Sequence, residues 1–352
     1  MTKPSYFTCA LLLLFIIGLT ACGKPDAQAM LEDYADSMSN VLETNIAIDL
    51  DNAAKQLPAF PEKRERKLTT PDIREGMLEV WDFEQCGMMH LIAERNSSLG
   101  KVMLPSQKMR YELRFMAALQ QCRQQMQQLE KPGPEQQAFI KRLQEIAQLK
   151  QQNLAREVWN GIYGSDEISQ HFATGQPPLS PVNGQSGNVL RGLEKLSALA
   201  ELSNAETLHI PSWLKDIEGI YYNFYSSRFG AELLPALLIL TETLDKTAEA
   251  IEKRLQRSPF CHKGHRPRRA EILRNIFQKY YAGQVQPYMA IIQREGKEWL
   301  ELHEKIMQTL PKPTSMTTYH QQVISRTAPS SLWQQWKTAN RRHTQAWQDI
   351  LG

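Results

Sequence analysis

The polar segment between residues 94 and 101 holds the side chains best suited to chemistry: Glu94, Arg95, Asn96, Ser97, Ser98 and Lys101. Ser98 and Lys101 have the spacing S-x-x-K, in which a lysine amine one helical turn away can activate the serine hydroxyl as a nucleophile. Neither S-D-N nor K-T-G follows, although acyltransferases with this motif carry them. Gly100 also disfavours the helix that the motif needs. The alternative is a structured loop in which Glu94, Arg95 and Asn96 hydrogen-bond to one another.

Cys22 is the candidate for covalent modification. It ends a short stretch of small residues that follows a ten-residue apolar run, Ala10 to Leu19, with Lys3 upstream. A membrane-spanning helix needs about 20 apolar residues, so the run predicts a secretory signal peptide, residues 1–21. The sequence Leu-Thr-Ala-Cys at its end resembles a bacterial lipobox, which predicts cleavage before Cys22 and lipid attachment to its sulfur.

This anchor predicts a membrane partner. Several acyl chains on one cysteine would hold the chain at a membrane surface, since one chain alone binds only marginally. Gly23, rather than aspartate, follows the cysteine. That pattern resembles outer-membrane sorting, and it predicts the periplasmic leaflet of the outer membrane.

Three other cysteines, Cys86, Cys122 and Cys261, lie beyond the signal peptide. Their spacing fits no zinc or C-x-x-C pattern, so no metal site is predicted. Disulfides persist outside the cytoplasm, and Cys86 and Cys122 fall on two helices expected to run antiparallel. We predict a disulfide between them and a free thiol at Cys261; the alternative is two buried free thiols.

Composition excludes some function classes. The chain has 352 residues, of which 42% are hydrophobic and 22% are charged, as is ordinary for a globular protein. Its net charge of +3 is too small to indicate nucleic-acid binding. No glycine-rich phosphate loop, Walker lysine or G-x-S-x-G motif is present, so no cofactor is predicted.

Apolar spacing predicts an all-α fold, an elongated multi-helix bundle with no strands. An N-terminal helix and an irregular, solvated linker are expected within residues 22–69, followed by a helical domain over 70–352. The linker covers 45–69 and contains the charged run 62–67. A proline-rich loop at 173–189 is a possible sub-boundary. Helices are predicted at about 25–44, 70–94, 106–129, 135–160, 189–204, 212–227, 233–255, 267–310 with a kink or a division at Pro287, and 330–350.

Two segments carry a family resemblance. Residues 86–102 (CGMMHLIAERNSSLGKV) and, more weakly, residues 280–288 (YYAGQVQPY) resemble the proteobacterial lipoproteins filed as domain of unknown function 3080. The resemblance implies a lipoprotein over nearly all of the mature chain. It implies no activity and no catalytic residue.

We therefore expect a non-catalytic envelope lipoprotein that binds or scaffolds an envelope protein partner. One alternative is a hydrolase or acyltransferase acting near Ser98 and Lys101, and another is a binder of lipid or glycan in a cleft between helices. An exposed apolar patch would favour protein binding, whereas a polar pocket would favour the alternatives.

Overall fold

The computed structural model describes residues 26–71, 80–182, 186–257 and 268–351. Within these ranges the chain is all-α, with helices, loops and no strand, as predicted. The signal peptide 1–21, the lipidation of Cys22 and the thiol of Cys261 lie outside the described residues. None of the helices described is both long and apolar enough to cross a membrane.

The first half of the chain forms eight α-helices in its described part. Asp26 caps the first of them by accepting a hydrogen bond from the Gln28 amide, and Glu43, at a positive φ of 52°, ends it. The helices are α1 (Ala27–Leu42), α2 (Leu50–Lys55), α3 (Lys63–Arg66), α4 (Met89–Asn96), α5 (Ser98–Lys101), α6 (Pro105–Gln127), α7 (Pro134–Tyr163) and α8 (Asp166–Ser169). Short 3-10 helices occupy Val80–Cys86 and Gln170–Phe172.

The second half is also helical where it is described. The helices are α9 (Gly187–Leu202), α10 (Ile217–Tyr225), α11 (Phe229–Arg257), α12 (Arg268–Ile276), α13 (Gln286–Ile291), α14 (Lys297–Thr309), α15 (Thr314–Tyr319) and α16 (Leu332–Leu351). A 3-10 helix, Ser212–Asp216, precedes α10. The sequence patterns did not predict α15, which follows directly after Pro313.

Helix α11 is the central element. Its residues from Phe229 to Leu240 are almost all buried, because it packs against α1, α2 and α16 on different sides. A helix that is apolar on most sides belongs in the interior. The buried apolar residues on both sides of the 173–189 loop form one continuous core. In that loop the Leu179 amide donates to the Glu232 carbonyl at 2.8 Å.

Helices α6 and α7 form an antiparallel pair that supports the candidate site. Two ion pairs join them: Lys108 Nζ lies 2.9 Å from Glu157 Oε1, and Lys150 Nζ lies 2.6 Å from Glu112 Oε2. Both carboxylates are buried. Breaking such a pair by removing one partner is costly, since the other charge is then left buried and unpaired.

The long helix predicted at 267–310, with a kink or a division at Pro287, is helical over residues 268–309 but is not a regular α-helix throughout. Segments Phe277–Val285 and Ile292–Gly296 are π-helical and separate α12, α13 and α14. Pro287 lies in the first turn of α13, directly after the first π-helical segment. Proline has no N–H to donate, and its ring clashes with the carbonyl four residues earlier, so a regular α-helix cannot pass through it unchanged.

Two predictions needed correction. The single helix predicted at 70–94 is wrong over its described part, because Gly87, at a φ of 66°, separates the 3-10 helix from α4; residues 72–79 lie outside the described ranges. The linker predicted within 45–69 is not wholly irregular or solvated, since it contains α2 and α3. Arg66, in the middle of its charged run, is only 5% exposed.

Candidate functional site

The segment predicted from residues 94–101 forms the end of α4, the single turn α5 and the start of the loop to α6. Ser97 Oγ accepts a hydrogen bond from the Gly100 amide at 2.9 Å and donates one to the Glu94 carbonyl at 2.8 Å. The Arg95 guanidinium donates to the Gly100 carbonyl. A Cβ at residue 100 would collide with the carbonyl oxygens of Glu94 and Arg95. The tight turn therefore requires glycine.

The Glu94 carboxylate points toward α6, where Arg114 Nη1 lies 3.2 Å from Glu94 Oε2. This contact differs from the predicted hydrogen bonding among Glu94, Arg95 and Asn96, because the carboxylate binds a neighbouring helix. Asn96 is exposed at the end of α4. The ion pair holds the end of α4 against α6.

Ser98 and Lys101 lie on the same turn, α5, as the S-x-x-K spacing requires. Both are exposed, and no hydrogen bond joins them among the contacts of the described residues. A lysine that activates a serine is normally desolvated and in contact with the hydroxyl. The geometry of the pair is that of two solvated side chains.

Cys86 and Cys122 form the predicted disulfide, with a Cα–Cα distance of 5.3 Å. The bond ties the 3-10 helix before α4 to the C-terminal part of α6. Cys122 is buried on the apolar stripe of α6, and Cys86 is partly exposed. The segment that carries α4 and α5 is therefore covalently fixed to its supporting helix.

Three apolar side chains project into solvent directly after this support. Leu99 is 80% exposed, Val102 is 73% exposed and Leu104 is 50% exposed. We call Leu99, Val102 and Leu104 the apolar ridge. Single exposed apolar residues are common. Three within six residues make this segment a candidate interaction site.

A basic pocket of about 550 Å3 lies beside the ridge. Two parts of the chain line it: residues 64–70, from the predicted linker, and residues 95–108, around α5 and the start of α6. We define this basic pocket by its lining residues, which are Arg64, Lys67, Thr69, Thr70, Arg95, Lys101, Met103 and Lys108. Five are cationic, and none of these eight is acidic.

Buried Arg66 fixes the linker wall of the pocket. Its Nε donates to the Tyr163 carbonyl at 2.9 Å and its Nη2 donates to Ser169 Oγ at 2.6 Å. The guanidinium also lies 4.4 Å from the centre of the Phe60 ring. Burial lowers the pKa of Arg66. Because Arg66 is anchored, its neighbour Lys67 is held at the pocket.

The backbone next to Lys67 is clamped onto α7 as well. The Asn160 side chain accepts from the Leu68 amide and donates to the Leu68 carbonyl, each at 2.8 Å. Trp159 Nε1 donates to the Arg66 carbonyl at 2.7 Å. A short irregular segment is thus positioned by side-chain hydrogen bonds in place of a strand or a long helix.

The charges of the pocket are not equivalent. Lys108 is paired with Glu157, and Arg95 is held by the Gly100 carbonyl. Arg64, Lys67 and Lys101 are exposed, and none of the three forms an ion pair with a residue of the described ranges. These three cations are available to an anion that enters the pocket, and Thr69 and Thr70 add hydroxyl donors.

Other polar clusters are buried. The Gly230 amide donates to His171 Nδ1 at 3.4 Å, so His171 Nε2 carries the proton and donates to the Phe224 carbonyl at 3.0 Å. Burial lowers the pKa of His171 to about 4. His303 contacts Tyr163 Oη at 3.0 Å through Nδ1, and burial holds its pKa well below the usual value.

A third histidine joins the two ends of the described chain. The Tyr34 hydroxyl on α1 lies 2.8 Å from His343 Nε2 on α16 and accepts a hydrogen bond from Trp347 Nε1 at 2.9 Å. Burial lowers the pKa of His343 to about 3. We call these two buried groups, His171 with His303 and His343 with Tyr34 and Trp347, the histidine core. All three imidazoles are buried, and burial keeps them neutral by lowering their pKa values.

The described residues contain no group of three histidine, cysteine, aspartate or glutamate side chains placed to hold a metal ion.

The sequence did not predict the basic pocket. Its two walls are separated by the 72–94 stretch, and the run at residues 62–67 has mixed charge signs, which is typical of a solvated segment. The resemblance drew attention to only one of the two walls.

Comparison with known proteins gives one match. A search of curated proteins and a search of solved structures each found no similar protein. A family model described as "Protein of unknown function (DUF3080)" matches residues 31–352. The match includes both pocket walls, the disulfide and the histidine core, and the chain belongs to this family.

Proposed function

We propose that this protein is a lipoprotein of the bacterial cell envelope that acts by binding and not by catalysis. Lipid on Cys22 anchors it to the periplasmic leaflet of the outer membrane, and the apolar ridge docks an envelope protein partner. The observation that carries the proposal is the exposure of Leu99, Val102 and Leu104 on a rigid support. The lipobox-like sequence before Cys22 supports the location.

The ridge has the features of a preformed docking element. Gly100 and Ser97 close the turn, the Glu94–Arg114 ion pair holds α4, and the disulfide fixes the segment to α6. Docking then orders few additional residues, and this lowers the entropic cost of association. Burying the three side chains in a partner would remove apolar surface from water. Each Å2 of buried apolar surface would stabilise the complex by about 25 cal/mol.

The charge around the ridge indicates the kind of partner. Arg95 and Lys101 flank Leu99 in the chain. An apolar pocket on the partner with an acidic margin would complement this arrangement, since opposite potentials steer encounter and set orientation. The absence of contact between Ser98 and Lys101 agrees with a role in binding.

The test is in-cell photo-crosslinking of the full, lipidated protein. A photo-crosslinking amino acid replaces Leu99, and the matched control carries it at Lys141, an exposed position on α7. We expect one reproducible protein adduct from position 99, absent from position 141 and lost with Cys22→Ser. The same pattern of adducts from both positions would contradict docking at the ridge.

A second variant tests the ridge independently of the probe's position. Leu99→Ser with Val102→Ser should abolish the adduct formed by a crosslinker placed at Leu104, whereas Tyr222→Ser, at another exposed apolar site, should not. The non-catalytic part of the proposal has its own test. Covalent labelling of the wild type by a fluorophosphonate, lost with Ser98→Ala, would show a serine nucleophile and overturn it.

A further inference from the structure

We propose that the basic pocket is a binding site for a phosphate-bearing ligand. The proposal goes beyond protein docking at the ridge, because the pocket is lined by different residues and takes a different chemistry. Its lining holds five cations and two threonine hydroxyls in one concavity. The ligand is identified by its phosphate, which a lipid headgroup and a water-soluble phosphate ester both carry.

The first support for the proposal is the charge of the pocket. Positive side chains repel one another, so placing five of them around one pocket lowers the stability of the fold. Lys108 is compensated by Glu157, and Arg66 behind the wall is bound by neutral oxygen atoms. Arg64, Lys67 and Lys101 form no ion pair within the described ranges. An anion with more than one negative charge would pair with them.

The donor set is the second argument. Lysine ammonium and arginine guanidinium groups form short, charge-assisted hydrogen bonds with phosphate oxygens, and hydroxyls can donate to the same oxygens. Thr69 and Thr70 stand on one wall, and Lys101 stands on the other. A phosphate has enough acceptor oxygens to contact both walls at once.

Size and rigidity are the third argument. A volume of about 550 Å3 holds more than a single inorganic ion and lies within the usual range for small-molecule sites. Both walls are fixed before a ligand arrives: one by Arg66 and Asn160 on α7, the other by the turn at Gly100. Met103 adds one apolar surface to the lining, suited to the carbon portion of a phosphate ester.

The experiment uses the mature chain with Cys22→Ser, so that lipid on the protein cannot itself bind vesicles. One arm titrates inorganic pyrophosphate and glycerol 3-phosphate by calorimetry. The other measures co-sedimentation with phosphatidylcholine vesicles, with and without phosphatidylglycerol. The test variant is Lys67→Glu with Lys101→Glu, and the charge control is Lys141→Glu, about 28 Å along α7 from Asn160.

Binding in the first arm that weakens about tenfold or more in the double variant and is unchanged in the control establishes a water-soluble phosphate ligand. Binding only to phosphatidylglycerol vesicles, with the same dependence on Lys67 and Lys101, establishes a lipid headgroup. Absence of binding in both arms overturns the proposal. Equal weakening by Lys141→Glu also overturns it, since it would show only general attraction to a positive chain.

A milder variant guards against misfolding. Lys67→Gln with Lys101→Gln removes charge without adding carboxylates, and binding should weaken less than in the glutamate variant. The thermal midpoint of every variant is measured by circular dichroism. Lysine variants that are folded and still bind the phosphate ligand with full affinity would contradict the proposed site. Leu99→Ser with Val102→Ser should leave calorimetric binding unchanged, and this separates the pocket from the proposed docking of a partner at the ridge.

Discussion

The histidine core and the basic pocket both contain nitrogen-bearing side chains, but the core is buried and the pocket is open to solvent. In the core, burial lowers the histidine pKa values, so that the imidazoles are neutral and hydrogen-bonded to aromatic and backbone partners. In the pocket, Arg64, Lys67 and Lys101 are exposed and form no ion pair within the described ranges. Residue type alone therefore does not decide which cluster can bind a ligand. Exposure to solvent and the absence of an ion-pair partner decide whether a cluster can do so.

The largest predicted effect concerns packing in the core. Trp299 is fully buried, and its ring centre lies 4.3 Å from that of His303. Trp299→Ala should lower the free energy of unfolding by about 3–5 kcal/mol, because a large cavity remains. Urea denaturation measures it. Tyr222→Ala, at an exposed site, should change the value by no more than about 0.5 kcal/mol. Equal losses of unfolding free energy in the two variants would contradict the predicted difference between a buried and an exposed aromatic residue.

The second effect tests the support of the pocket and ridge. Cys86→Ser with Cys122→Ser should lower the free energy of unfolding by about 2–4 kcal/mol, because the disulfide restricts the unfolded chain. The two cysteines are 36 residues apart. The measurement is denaturation of the double variant and of the wild type, both without reductant. Reaction of both cysteines with a thiol reagent in the unfolded, unreduced wild type would show that the bond is absent.

The third effect is a dependence on pH. The native pKa values of His171 and His343 are about 4 and about 3, below the unfolded value of 6.5. The unfolded chain therefore binds protons first, and stability falls as pH decreases below about 6.5. From pH 8 to pH 5 each of the two should cost about 2 kcal/mol. Urea denaturation at both pH values measures the loss.

One variant isolates the contribution of a single histidine. His343→Gln removes one titrating group, so the loss of stability between pH 8 and pH 5 should become smaller than in the wild type. An unchanged loss would assign the pH dependence to other groups. The intrinsic stability of this variant is compared at pH 8, where the buried histidine and its unfolded counterpart are both neutral.

The smallest effect on stability belongs to the pocket. Lys67→Glu with Lys101→Glu should change the free energy of unfolding by no more than about 0.5 kcal/mol, since both side chains are solvated and unpaired within the described ranges. Thermal and urea denaturation measure it. If the free energy of unfolding fell by about 2 kcal/mol or more, the two lysines would be shown to stabilise the fold, as the core residues do.

Much of the fold could be predicted from the sequence because its signals are local. Helices α6 and α7 follow from apolar spacing and from the proline and glycine residues between them. The disulfide was predicted from the antiparallel arrangement expected of the segments that carry Cys86 and Cys122. Other features depend on distant contacts. The π-helical segments around Pro287, the burial of Arg66 and the helix α15 have no comparable local signature.

The site divides in the same way. Residues 94–101 could be selected because they are polar and compact between apolar stretches. Their partners could not: Arg114 lies on the next long helix, and the opposite wall of the pocket comes from residues 64–70. The exposure of Leu99 and Val102 was also unexpected from the pattern, since apolar residues near helix ends are more often buried.

The contact between Tyr34 and α16 has a consequence for how the chain must fold. The Tyr34 hydroxyl finds its partners, His343 and Trp347, 309 and 313 positions later in the chain. A polypeptide that emerges N-terminus first, from the ribosome or from an export channel, cannot complete this contact until nearly all of it has been delivered. Native closure is therefore a late event, since long-range contacts form slowly. A chain terminated before residue 332 would lack both hydrogen-bond partners of Tyr34. The part of the chain around Tyr34 would then be incompletely packed and open to proteolysis.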